Sequence, residues 1–191
     1  MNDASPAAAQ PTAPSPDPAV IVCESARLRM RRSRRDDADF IIELLNDPAW
    51  LEFIGNRNIR SRDDAHRYIE TVLQALVTRT GFGLDIVERK ADHAPIGLCG
   101  LIKRDELDDV DLGFALLPAW RGGGYAREAA RAVLEHAVQA LGLTRVAAIV
   151  SARNERSIHL LRELGFAFER DFALRPDDPH VSLYLRRFEP A

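Results

Sequence analysis

The chain has 191 residues, 46% of them hydrophobic and 29% charged, with a formal net charge of −3. That balance suits a single globular domain with its own core and excludes a strong global field for a polyanionic partner. No apolar run reaches the roughly 18 residues that a membrane-spanning helix needs. The two cysteines, Cys23 and Cys99, offer at most one bridge, which fits a reducing cytoplasm.

Residues 1 to 20 form a segment of different character. They hold five of the eleven prolines and no aromatic or basic residue, so they are expected to be a disordered Ala/Pro-rich tail ahead of one domain over 21–191. The tail lacks the basic start and continuous apolar stretch of a secretory signal. The run RLRMRRSRR (27–35) follows, in which Leu28 and Met30 alternate with arginines. This reads as a charged edge strand with one wet face, and nucleic-acid binding is not expected from it.

The next segment, DDADFIIELLNDPAW, carries Ala38, Ile41, Leu44 and Leu45 at helical spacing, with Pro48 near its end. A second helix is predicted from an N-cap at Ser61, with Ala65, Ile69, Val72 and Leu73 as its apolar stripe. Between them LEFIGNRNIRS reads as a polar loop with apolar shoulders, placed to cover a pocket. Three strands follow as an antiparallel meander: GFGLDIVER, IGLCGLIKR and VDLGFALLP. A glycine-led helix then buries Ala126, Ala129, Ala130, Val133, Leu134, Ala137, Val138 and Leu141 and stops at Gly142. RVAAIVS, the helix NERSIHLLRELGF, and the strands FAFERDFAL and VSLYLRRFE complete a mixed α/β order with one strand–helix–strand crossover.

Gly122, Gly123 and Gly124 stand directly before a strongly helical run, although glycine disfavours helix. A tight turn accounts for one of them. Bare backbone at a helix N-terminus, where N–H groups are unpaired and the dipole is positive, accounts for all three as a phosphate site, with Arg121 adding charge. The triphosphate loop is excluded because Tyr125 and Ala126 replace its Lys and Ser/Thr. The dinucleotide fingerprint is excluded because Arg127 occupies its last glycine position and no acidic residue ends the next strand.

Phe114 to Ala126 resembles the acetyl-CoA signature of the GNAT superfamily of N-acetyltransferases, a strand ending near Pro that leads into R/Q-x-x-G-x-G/A, with Arg121, Gly124 and Ala126 in its defined places. Asn154 to Phe166 is similar to the superfamily's second motif, and the strand order matches from about residue 24 to 188. The Arg-x-Arg strand, Asn-Asp-Pro and Gly-Tyr-Ala-x-Glu-Ala look most like the branch of ribosomal-protein-alanine N-acetyltransferases. The resemblance implies a mostly antiparallel sheet of six or seven strands flanked by about four helices. It also implies a splay between the strand of Asp111 and the strand RVAAIVS, the fourth and fifth in the family's order.

It further implies acetyl-CoA as cosubstrate with no metal. The backbone at Phe114 and Leu116 would hold the pantetheine arm, and an N–H near Leu116 the thioester oxygen. Arg121, Gly122, Gly123, Gly124, Tyr125 and Ala126 would hold the pyrophosphate, with Asn154 and Ser157 as further contacts. Asn154 is equally well explained as a helix cap. Asp111, two residues before Gly113, occupies the place of the family's base; its plain alternative is a polar residue on an exposed strand face. Leu161 stands where many members carry an acid Tyr, leaving the thiolate to water or the ammonium product. Trp50, Phe53, Ile54 and Arg57 would cover the amine acceptor, a small amine or a protein N-terminus. The chain is expected to act as a monomer or homodimer. The competing reading is a non-catalytic module that binds CoA or docks a protein or RNA through the same cleft.

Overall fold

The computed structural model describes residues 20–175 and 178–189, so nearly all of the expected tail lies outside the described residues. Eight strands form one sheet in the order β1-β2-β3-β4-β5-β6-β8-β7. They are β1 (Ile21–Glu24), β2 (Leu28–Arg31), β3 (Leu84–Arg89), β4 (Pro95–Ile102), β5 (Asp111–Leu116), β6 (Arg145–Val150), β7 (Ala167–Phe172) and β8 (Val181–Arg187). Every neighbouring pair is antiparallel except β5 and β6. The strand beyond the expected six or seven is β1, whose alternation is too short to stand out after the Pro-rich stretch.

That extra strand changes the reading of the arginine run. β2 lies between β1 and β3 instead of at the edge. Its two faces are covered differently. Leu28 and Met30 pack with Ile96, Cys99 and the helix α5 (Tyr125–Gln139). Arg31, on the opposite face, is only 3% exposed. The expected wet face is therefore partly dry, and it is made tolerable by pairing. Arg31 donates to both carboxylate oxygens of Asp37 at 2.9 and 2.8 Å and to Glu88 at 2.6 Å. Arg27, Arg29, Arg32 and Arg35 likewise meet Glu128, Glu24, Asp85 and Glu70.

The other sheet face carries α1 (Ala38–Leu45), α2 (Pro48–Phe53), and a rod made of α3 (Arg62–Tyr68), a π-helical stretch over Ile69–Gln74, and α4 (Ala75–Thr80). Ile41, Leu44, Leu45, Trp50, Ala65, Ile69 and Leu73 pack there against Ile86 and Leu98. Ser61 caps α3 as predicted, accepting from Asp64 N at 3.1 Å. Val72 is not part of the stripe: the wider π turn rotates it outward to 45% exposure while Leu73 stays buried. Pro48 starts a helix instead of ending one. Its missing N–H costs nothing at the first helical position, and Asp47 caps α2 by accepting from Ala49 N and Trp50 N at 3.1 and 3.2 Å. The stretch from Leu51 to Phe53, expected as loop, is therefore helical.

The long helix α5 buries Ala129, Ala130, Val133, Leu134 and Ala137 and ends before Gly142, whose φ of 65° supplies the left-handed stop. It connects β5 to β6 as the one parallel crossover. α6 (Glu155–Glu163) follows β6 and is capped by Asn154.

Candidate active site

β5 and β6 part immediately after they meet. Their register contains a single pair, Asp111 with Ala147, supported by a hydrogen bond from Ala147 N to Val110 O of 2.8 Å. Beyond this pair β5 remains bonded to β4 along its whole length, Ile102 facing Asp111 and Gly97 facing Leu116. Peptide groups alternate along a strand. Since Val110 O turns toward β6, and Leu117 N donates to Ile96 O of β4 at 2.9 Å, the peptide groups of Leu112, Phe114 and Leu116 face the opening. An interior strand edge without a partner needs a hydrogen-bonding ligand or water. Phe114 and Leu116 thus lie on the open edge.

The cleft so formed has a volume of about 140 Å³. At about 10–15 Å³ per water, that is room for about ten waters. Its polar side chains are Arg104, Asp111, Ser151, Asn154 and Ser157; Trp50, Phe53, Ile54, Phe114 and Leu161 are among its apolar walls. Leu161 thus presents a hydrocarbon at the place where the resemblance would put a phenol. Among the described residues no histidine, cysteine or tyrosine lines the space. Cys99 is buried in the core beneath α5, where burial pushes its thiol well above the ordinary value.

Asp111 sits where the two strands diverge and is 1% exposed. The exposed-face alternative is therefore overturned. Burial pushes its carboxyl up to about 6, against the opposing pull of Arg104, whose Nε lies 3.3 and 3.1 Å from the two oxygens. By strand alternation Asp111 shares a face with Ala115, which packs in the α1–α4 layer. That is the face on which α2 presents Trp50. Arg104 escapes sequence reasoning because it stands in the irregular turn after β4, seven residues before its partner; Ser151 had only its place three residues before Asn154 to mark it.

The glycine segment is built differently from the expectation. Gly122 and Gly124 both have left-handed φ, 82° and 77°, so the turn itself requires two of the three glycines. A Cβ on Gly123 would come within 3.1 Å of the Tyr125 ring. The helix start still offers its first N–H groups: Glu128 N is the first to bond back, to Gly124 O at 3.1 Å. Glu128 itself is taken up by Ser25 Oγ, Arg27 N and Arg27 Nε, which removes its charge from competition with an anion there.

Arg121 is not a free cation aimed at that helix start. Its Nε donates to Leu116 O at 2.9 Å and its Nη2 to Asp47 at 2.5 Å. The carboxylate that caps α2 thereby also holds the turn before α5. Tyr125 is locked between Arg27, 4.2 Å above its ring, and Trp120, edge-on at 6.0 Å, and its hydroxyl accepts from Arg89 at 3.3 Å. Ala126 packs against the core. Asn154 accepts from Ser157 N at 3.1 Å, so its capping role is real, and both residues also border the cleft. Arg57 is exposed and does not line the cleft, unlike Trp50, Phe53 and Ile54.

A sheet opened between two parallel strands, with a glycine-led helix start after the first of them, defines an acyltransferase architecture. A sequence profile described as the acetyltransferase (GNAT) domain matches residues 27–167, and the chain belongs to that family of enzymes. It is 27% identical over 150 residues to the Bacillus subtilis uncharacterized N-acetyltransferase YoaA, covering 78% of this chain and 84% of that protein. It is 31% identical over 74 residues to the Escherichia coli spermidine N(1)-acetyltransferase, covering 37% and 40%. The structure of RimL, a ribosomal L7/L12 alpha-N-protein acetyltransferase, superposes with a TM-score of 0.76 at 16% identity, covering 93% of this chain and 99% of that one. Among the described residues no cluster of metal-ligating side chains occurs and no helix is long and apolar enough to cross a membrane.

Proposed function

We propose that this chain transfers the acetyl group of acetyl-CoA to a primary amine by direct attack within the cleft, with Asp111 as the base. The observation that carries the reading is a nearly inaccessible carboxyl, pushed up to about 6, at the point where β5 and β6 separate. A base with that value is mostly ionised at neutral pH and still basic enough to take a proton from a reacting amine. The peptide groups of Phe114 and Leu116 would pair with the amides of the pantetheine arm, the one available N–H of Leu116 serving the thioester oxygen, because its C=O is occupied by Arg121. The N–H groups from Gly122 to Ala126 would receive the pyrophosphate, and Asn154 and Ser157 would flank the arm from α6.

The bound thioester supplies the acetyl group. The neutral amine attacks the thioester carbon; the new C–N bond forms as the C–S bond breaks and its electron pair leaves on sulfur. Asp111 takes the amine proton, directly or through one water. Arg104 keeps the carboxyl ionised and oriented before that transfer. With Leu161 at the cleft wall, the thiolate takes its proton from water, and Asp111 returns the amine proton to solvent. The test is release of free thiol from acetyl-CoA across a panel of primary amines. Release that depends on the amine supports transfer; binding of acetyl-CoA with no amine-dependent thiol identifies a non-catalytic module.

A further inference from the structure

A single carboxylate oxygen joins the two sides of the site. Asp47, 6% exposed, caps α2 through Oδ2, which accepts from Ala49 N and Trp50 N at 3.1 and 3.2 Å. The same Oδ2 receives Arg121 Nη2 at 2.5 Å, and Arg121 Nε donates to Leu116 O at 2.9 Å. These contacts form one continuous path. It begins on the β5 edge that faces the opening and passes through the guanidinium just ahead of Gly122. It ends at the helix whose Trp50, Phe53 and Ile54 wall the cleft. Both links of Arg121 are charge-assisted and thus stronger than neutral hydrogen bonds. A helix of six residues has little stability of its own, so the position of α2 depends on its tethers.

The pair lies between the two backbone segments assigned to acetyl-CoA, the Leu116 edge on one side and the N–H groups from Gly122 on the other. The Asp47 side chain is 4% exposed, and a buried ion pair is screened little by salt. We infer that Asp47 and Arg121 are a positioning pair that carries occupancy of the β5 edge to α2, so that bound acetyl-CoA firms the wall against which the acceptor amine is placed. A ligand held on both sides of Arg121 restricts that residue, the restricted guanidinium holds Asp47, and Asp47 holds the first turn of α2. By linkage, an acceptor seated against α2 tightens acetyl-CoA by the same factor. The inference rests on the acetyl-CoA reading of the cleft for its ligand, and on the shared carboxylate oxygen for its coupling.

Amide hydrogen exchange at Ile54 and Gly55 reads α2 away from the pair, because both amides bond to Trp50 O at the far end of the helix. Saturating acetyl-CoA should slow their exchange by about fivefold or more in the native chain. Asp47→Asn keeps a residue type that caps helices well and removes the charge. Arg121→Met keeps the hydrocarbon stem and removes both donors. In either variant acetyl-CoA should still protect Phe114 and Leu116 and bind with nearly native affinity in calorimetry, while the slowing at Ile54 and Gly55 is lost. Slowing that persists in both variants overturns the inference, since the ligand then acts on α2 without the pair. A loss of acetyl-CoA affinity in Arg121→Met with none in Asp47→Asn also overturns it and returns the arginine to phosphate binding. The native chain alone gives a further test. Protection at Phe114 and Leu116 with no change at Ile54 and Gly55 overturns the inference and leaves the acetyl-CoA reading standing. No protection at any of the four overturns that reading and the inference with it.

Discussion

Replacing Asp111 by Asn separates a catalytic carboxylate from a structural one, because the two roles predict opposite signs for stability. The rise from 3.8 to about 6 corresponds to about 3 kcal/mol of preference for the neutral form in the folded chain. A group raised in this way contributes stability that is fully present below its unfolded value near 4 and lost as pH climbs through about 6. At neutral pH the native protein therefore holds an ionised carboxylate at a cost. Asn removes that charge with little change of shape, and Arg104, whose side chain is 30% exposed, can turn to solvent. Asp111→Asn should consequently gain on the order of 2 kcal/mol at pH 7 in urea denaturation, while turnover falls by about 10² to 10⁴. In the native enzyme kcat/KM should rise with a limb near pH 6 from Asp111 and a second from the amine, near 8 for a peptide N-terminus and about 10 for an alkylamine. The variant should lose the first limb and keep the second. Full turnover in Asp111→Asn, or a loss of stability without a change in the pH profile, would refute the assignment.

Gly124→Val should weaken acetyl-CoA binding by about tenfold or more in calorimetry, because a branched residue at φ 77° is strained by about 1–3 kcal/mol and the helix start would rearrange. Asp47→Ala should destabilise the chain by about 2 kcal/mol in chemical denaturation, losing the α2 cap and the carboxylate that Arg121 Nη2 meets; KM for the acceptor should rise with it. Arg31→Ala should cost about 3–5 kcal/mol, since the buried carboxylates of Asp37 and Glu88 would lose the guanidinium they share.

The parts of this molecule governed by local rules could be read from the sequence. The Ser61 cap, the α5 stripe and its Gly142 stop, and the crossover from β5 to β6 each follow from spacing and residue type within a few positions. The position of Asp111 two residues before Gly113 could be found from motif spacing, but its burial could not, because that depends on α2 covering the sheet face. Properties set by distant partners were not readable. Arg31 looked like a solvated strand residue because Asp37 and Glu88 are brought to it only by the fold. Arg121 looked like a phosphate ligand because Asp47, 74 positions earlier, is invisible to a local reading. The outward turn of Val72 depends on a π-helical stretch that helical periodicity does not anticipate.

Both site assignments rest on the claim that the unpaired edge of β5 receives the acetyl-CoA arm. Amide hydrogen exchange resolved by residue, with and without saturating acetyl-CoA, tests it most directly. The Phe114 and Leu116 amides, which face the opening, should become protected on binding, while the Gly113 and Ala115 amides, turned toward β4, should change little. Saturation with acetyl-CoA that leaves Phe114 and Leu116 exchanging at their free rates would contradict the account.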